Sequence, residues 1–274
     1  MKGWVNNVKK NRFEIDMCNG SIMDKLISFS LPLMVSGILQ LAFNAVDIIV
    51  VGRFSGSQAL AAVGSTTALI NVFTNLFIGI SLGANVLAAR FYAAGKDREM
   101  SETVHTSITL ALISGIMMAV IGVLLAKWAL EIMGTPDDVI GQSALYMRIY
   151  FMGMPFFMLY NYGAAILRAI GDTKRPLIFL IISGIANAAL NMILVILFHM
   201  GVAGVAIGTI ISQLISCVLV LTCLYRSEGS YQLRFSKLKI NGAYMEQIFQ
   251  VGVPAGIQST VINLSNALLQ SSVN

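Results

Sequence analysis

Asp47 is the only acidic residue inside an apolar stretch long enough to cross a bilayer. An ionised group in that setting costs at least about 2.5 kcal/mol unless it faces a partner or a wet cavity. A carboxylate so placed can take up and release a proton, or hold a cation. Gln40, Asn44 and Asp47 are spaced four and three residues apart, so they form one stripe on a helix face. A polar stripe running inward from Asp47 points to a wet cavity. The competing reading is interfacial: Asp47 lies six residues before Arg53, roughly 9 Å along a helix, and would then reach toward the outer surface.

Other polar residues recur at helical spacing. Thr67, Asn71, Thr74 and Asn75 fall in the second apolar stretch, Asn187 and Asn191 in the fifth, and Thr209 and Gln213 in the sixth. Taken singly, such residues join neighbouring helices at about 0.6 kcal/mol each. Together with a carboxylate they can build a central cation site. Tyr146 and Tyr150 are candidates for a pocket wall or for an interfacial belt, and His105 and His199 fall near stretch ends, where an interfacial role is expected. The small-residue pairs Gly79-x-x-x-Gly83 and Gly204-x-x-x-Gly208 predict close helix packing.

Enzyme chemistry finds no support. The chain carries no nucleophile elbow, phosphate loop or zinc-type cluster, and a lone carboxylate argues against an intramembrane aspartyl protease, which needs two. Cys18, Cys217 and Cys223 have neither disulfide nor metal-ligand spacing and read as packing residues. No cofactor is expected.

The elements that must position these residues are membrane helices. Of 274 residues, 57% are hydrophobic and 11% charged, against roughly 25% charged in a soluble domain. The 50 residues between Arg175 and Arg226 contain no Asp, Glu, Lys or Arg, and one crossing needs only about 20. That stretch therefore crosses twice, hinged between Phe198 and Gly204. Seven spans are predicted, over 26–51, 60–89, 104–127, 144–168, 176–198, 202–225 and 247–273. The uncharged run from Phe54 to Ala89 is too short for two crossings and a turn and counts once, with Gly56 and Ser57 in the loop before it.

With a cytoplasmic N-terminus, the inner segments carry Lys2, Lys9, Lys10, Arg12, Lys25, Arg90, Lys96, Arg98, Arg168, Lys174, Arg175, Arg226, Arg234, Lys237 and Lys239. The outer ones carry Arg53, Lys127 and Arg148, a bias of fifteen to three that sets orientation. Topology thus accounts for the net charge of +5, and no nucleic-acid partner is expected. Residues 1–24 read as a cytoplasmic segment that is not a secretory signal, 25–225 as a six-helix bundle, 226–246 as a cytoplasmic linker, and 247–274 as the first helix of a truncated second bundle. Offsetting residues 25–52 by 222 aligns Pro32 with Pro254, Asn44 with Asn266 and Ala45 with Ala267, as an internal repeat would. The last helix, lacking its own bundle, is expected to be the least stably packed.

Five segments in order carry a family resemblance. They are Pro32 followed by Asp47-Ile-Ile-Val-Val-Gly52-Arg53, then Gly83-Ala-Asn85 through Arg90 and Gly95, then Leu167-Arg168-Ala-Ile-Gly171-Asp172-Thr173-Lys174-Arg-Pro176. Asn187-Ala-Ala-Leu-Asn191 and Gly201-Val-Ala-Gly204-Val-Ala-Ile-Gly-Thr209 complete the set. From about Lys25 onward the chain resembles the multidrug and toxic compound extrusion (MATE) family. The resemblance implies an all-α integral membrane fold, of which this chain would supply the six-helix N-terminal bundle and a seventh transmembrane helix. It also implies multi-pass residence in a bacterial-type inner membrane, export of small organic compounds, and a partner bundle facing this one across a central cavity.

By the same resemblance, cation coupling falls to Asp47, Asn187, Asn191 and Thr209, with Asp47 the candidate Na⁺ ligand. Gln40 and Tyr146 would line the substrate cavity, joined by Asn44 and Asn71 from the polar stripes. Many members place an Asp where this chain has Asn191. A single carboxylate suits H⁺ better than Na⁺, whose oxygen cage would lose a charge. The nearest rival is a lipid-linked oligosaccharide flippase of the same superfamily, which would need arginine or lysine in the middle of a span; none is expected there. A seven-helix receptor would need an extracellular N-terminus, against the charge bias.

Overall fold

The computed structural model describes the backbone of residues 21–273 and the side chains of residues 21–262 other than Ala68. Lys2, Lys9, Lys10, Arg12 and Cys18 lie outside the described residues, as do the side chains of Asn266 and Ala267. Eight α-helices make up most of the described chain: α1 (Ile22–Phe54), α2 (Gly56–Ala93), α3 (Asp97–Ile132), α4 (Asp137–Met152), α5 (Met154–Ala169), α6 (Lys174–Met192), α7 (Gly201–Arg226) and α8 (Gly242–Val273). Five of these helices, α6 taken with the π turn Ile193–Leu197 that continues it, are long and apolar enough to cross a membrane. Their outer faces confirm the setting: Ile113, Ile116, Val120, Leu124 and Trp128 all stand exposed along α3, an arrangement stable against lipid and not against water.

The long uncharged run is a single helix as expected, but it starts at Gly56, whose positive φ of 87° turns the chain directly out of α1. The fourth expected span begins earlier, at Asp137, and is broken in two. Gly153 ends α4, and Pro155, which has no N–H to offer, opens α5. Packing fixes the bend from outside, because Gly115 of α3 abuts Pro155 and Gly122 abuts the Phe151 ring. Arg148, assigned to an outer segment, is the twelfth residue of α4, about 16 Å along the helix. It stands exposed between Leu145 and Met152.

Several residues of the five segments turn out to brace helices. Asn85 Nδ2 donates to the Ala165 carbonyl at 2.6 Å, tying α2 to α5. After α5, Gly171 takes a φ of 84° while Asp172 N–H closes back on Leu167 O at 2.9 Å, the hydrogen-bond pattern that ends a helix in a left-handed residue. Asp172, fully buried, then accepts the Arg175 N–H at 3.0 Å and pairs with its Nε at 3.0 Å, starting α6.

The last helix departs most from expectation. Rather than lying unpartnered, α8 packs along α2 over a seam of four glycines. A side chain on Gly79 would meet Gly256, and one on Gly83 would meet Ile248 O and Gly252 N. From the other side, Gly252 abuts Ile80 and Gly256 abuts Leu76. Backbones this close are possible only between small residues. Pro254 lies within α8 as Pro32 lies within α1.

The segment joining α7 to α8 is fastened to the foot of α3. His105, 3% exposed, shares Nδ1 with Ser101 O at 2.6 Å and accepts the Arg234 N–H on Nε2 at 3.1 Å. Thr106 Oγ1 accepts the Asn241 N–H at 3.2 Å, and Asn241 Nδ2 reaches Glu102 at 2.8 Å. His105 is therefore a buried brace between the foot of α3 and this segment. His199 does stand in a turn, exposed and with a positive φ of 51°. Cys217 is buried and Cys223 half-buried, both as free thiols.

Candidate functional site

The site forms where α1 meets α6 and α7. Phe43 and Asp47 lie four apart on one face of α1; Gly184, Asn187 and Asn191 lie three and four apart on one face of α6. The Phe43 ring fills the space where a side chain on Gly184 would begin. That close approach sets the next turn of α1 within reach of Asn191.

There, Asn191 Nδ2 donates to Asp47 Oδ1 at 2.5 Å and to Asn187 Oδ1 at 3.3 Å. Asn187 Nδ2 donates in turn to Thr209 Oγ1 at 3.4 Å, and Thr209 closes the series on the Val205 carbonyl at 2.9 Å. All four residues expected to handle the cation are thus joined in one hydrogen-bonded chain across three helices. Asn191 is wholly buried and Asn187 nearly so, while Asp47 is only half-buried. The carboxylate closes the buried chain at its more open end.

Glycine again permits the geometry. Asn191 Oδ1 is buried without a hydrogen-bond donor, and it lies where a side chain on Gly208 would begin. Gly208 is the residue sequence reasoning missed. It was assigned to helix packing, and only its place one residue before Thr209 hinted at the site.

The expected cavity residues divide. Gln40 and Asn44 are exposed on α1, the latter one turn from Asp47, and so continue an open polar stripe. Tyr146 does not face open space: it is 7% exposed, its ring 6.1 Å from that of Tyr150. Asn71 is exposed on α2, with its carbonyl accepting Asn75 Nδ2 at 2.7 Å, and no hydrogen bond joins it to the Asp47 chain. Gln213 lies one turn beyond Thr209, with Oε1 buried against Gly153. Among the described residues no group of three or more His, Cys, Asp or Glu could hold a metal ion.

The architecture is shared with solved transporters. An outward-facing multidrug resistance MATE family transporter of the MOP superfamily superposes with a TM-score of 0.87 at 21% identity, over 96% of this chain and 58% of that one. A MATE in the bent conformation gives 0.85 at 22% identity, over 92% and 56%. In sequence, the chain is 33% identical over 263 residues to the probable multidrug resistance protein YoeA of Bacillus subtilis, covering 93% of this chain and 56% of YoeA. It is 28% identical to the multidrug export protein MepA of Staphylococcus haemolyticus, covering 89% and 56%. The chain therefore spans about half the length of the relatives it matches. The MatE family model matches residues 32–193, more than half of the chain and all of α1 beyond Pro32 through the Asn187–Asn191 pair; this protein belongs to the MatE family.

Proposed function

We propose that this chain supplies the N-terminal half of a cation-coupled antiporter that exports small organic compounds by alternating access, with Asp47 as the coupling group. The observation that carries the reading is the hydrogen-bonded chain from Asp47 through Asn191 and Asn187 to Thr209. One titratable acid at the end of a buried polar network can bias α1 against α6 and α7, because its bond to Asn191 changes with its protonation or occupancy. A second bundle facing the Gln40–Asn44 stripe completes the cavity. The names of YoeA and MepA support drug-like substrates. The basic bias of the loops supports a cytoplasmic N-terminus in a bacterial-type inner membrane.

Proton coupling is favoured over Na⁺. Asn191 turns N–H groups toward Asp47 and Asn187 and its oxygen toward Gly208, so the surroundings of Asp47 offer donors where Na⁺ would need oxygens. Moving one proton inward across 100 mV yields about 2.3 kcal/mol, enough for roughly a 50-fold gradient of a neutral substrate at 1.4 kcal/mol per tenfold. Vesicles holding the complete transporter test the ion. Dye extrusion driven by an imposed pH gradient and indifferent to Na⁺ is expected; extrusion driven by Na⁺ alone would reverse the assignment.

A further inference from the structure

The segment after α7 carries an exposed aromatic pair inside a cluster of cations. Tyr225, in the last turn of α7, and Phe235, in the short turn Phe235–Lys237, stack with ring centroids 5.8 Å apart. Each nevertheless keeps more than half its surface exposed, at 54% and 53%. Leu238 is exposed beside them, as are Arg226, Arg234, Lys237 and Lys239. The only acid between Arg226 and Asn241 is Glu228.

The depth of this cluster is set by its fastening to α3. Arg234 N–H meets His105, and Lys239 O and Asn241 N–H both meet Thr106, at 3.4 and 3.2 Å. The apolar run of α3 begins just beyond, at Ile108. The cluster therefore lies level with the membrane boundary, where amphipathic aromatics reside and cations meet headgroups. It is also held rigid by backbone and buried side-chain bonds, so its charges need little further ordering to act together. Arg234 is additionally oriented by Nε, which donates to Gln232 Oε1 at 3.0 Å.

We propose that this segment is a binding site for the phosphate headgroup of an anionic phospholipid. Tyr225, Phe235 and Leu238 sit at the boundary of the acyl chains, while Arg226, Arg234, Lys237 and Lys239 face the phosphate. The excess of positive charge selects anionic over zwitterionic lipid, by about fivefold for each cation engaged. The path between α7 and α8 is thus a membrane-seated brace instead of a free linker.

The test places a reporter in the stack. Phe235→Trp preserves the aromatic surface, and the signal of Trp4 and Trp128 is removed by subtracting the parent chain in the same vesicles. In phosphatidylcholine vesicles doped with brominated phosphatidylglycerol, quenching of this tryptophan should exceed that by brominated phosphatidylcholine at equal dose by about fivefold or more. The preference should vanish with Lys237→Gln and Lys239→Gln together, and survive Lys237→Arg with Lys239→Arg. Equal quenching by the two brominated lipids would overturn the proposal. So would a preference that outlasts the glutamine pair, or a tryptophan that neither lipid reaches.

Discussion

The carboxamide oxygen of Asn191 lies where a side chain on Gly208 would begin. Because Asn191 Nδ2 serves both Asp47 and Asn187, anything that pushes its oxygen swings its N–H groups off the carboxylate. Gly208→Ala should therefore disturb the site through overpacking of about 1–3 kcal/mol. Transport should weaken and its pH profile shift while membrane insertion is preserved. An unchanged profile at matched expression would show that Asn191 yields without consequence.

Asn191→Asp places a second carboxylate against Asp47. Two acids at hydrogen-bond distance cannot both ionise freely, so the pair should share a proton or recruit a cation. The expected outcome is a new Na⁺ dependence of transport or a displaced pH profile. Identical Na⁺ and pH dependence in variant and parent would count against Asn191 as part of the coupling site.

The glycine seam between α2 and α8 predicts a large structural effect. A bulky side chain at Gly83 or Gly252 collides with backbone atoms of the opposite helix, which cannot turn aside as a side chain can. Gly83→Val or Gly252→Val should destabilise the chain by about 3 kcal/mol, the upper end of the overpacking range, read as a lower melting temperature in detergent. Gly64→Ala, with open space around it, is the control and should melt like the parent.

How much of this was legible in the sequence follows from what each signal measures. Hydropathy located the five helices that are long and apolar enough to cross a membrane, because the bilayer demands apolar length, and helical spacing grouped Asn187 with Asn191 because both must share a face. The partner of α8 was hidden: Gly79 and Gly83 announced a close approach without naming Gly252 and Gly256. Likewise the break at Gly153 and Pro155 lay inside a continuous apolar run. Tyr146 was expected in a cavity wall, yet aromatic character alone does not distinguish a pocket from a packed interior. The bond between Asp47 and Asn191, 144 residues apart, could be anticipated only by family resemblance.

Removing the acceptor on α3 tests the fastening of the segment before α8. His105→Leu leaves the part-buried Arg234 N–H without its partner, at a cost of about 1 kcal/mol or more. Trypsin cleavage after Arg234, Lys237 or Lys239 in vesicles should rise by about tenfold, since 1.4 kcal/mol is one decade of local opening. Cleavage at the parent rate would mean that the bonds of Thr106 and Asn241 suffice alone.

The central claim is that the carboxylate of Asp47 couples cation movement to export, and Asp47→Asn examines it most directly. The substitution keeps the size of the side chain and removes its titration. In vesicles holding the complete transporter, matched for protein content, the parent should extrude a fluorescent cationic dye when a pH gradient is imposed. The Asp47→Asn variant should insert equally, bind dye, and show no gradient-driven extrusion. Undiminished extrusion by the variant would contradict the account and move the coupling group elsewhere in the protein.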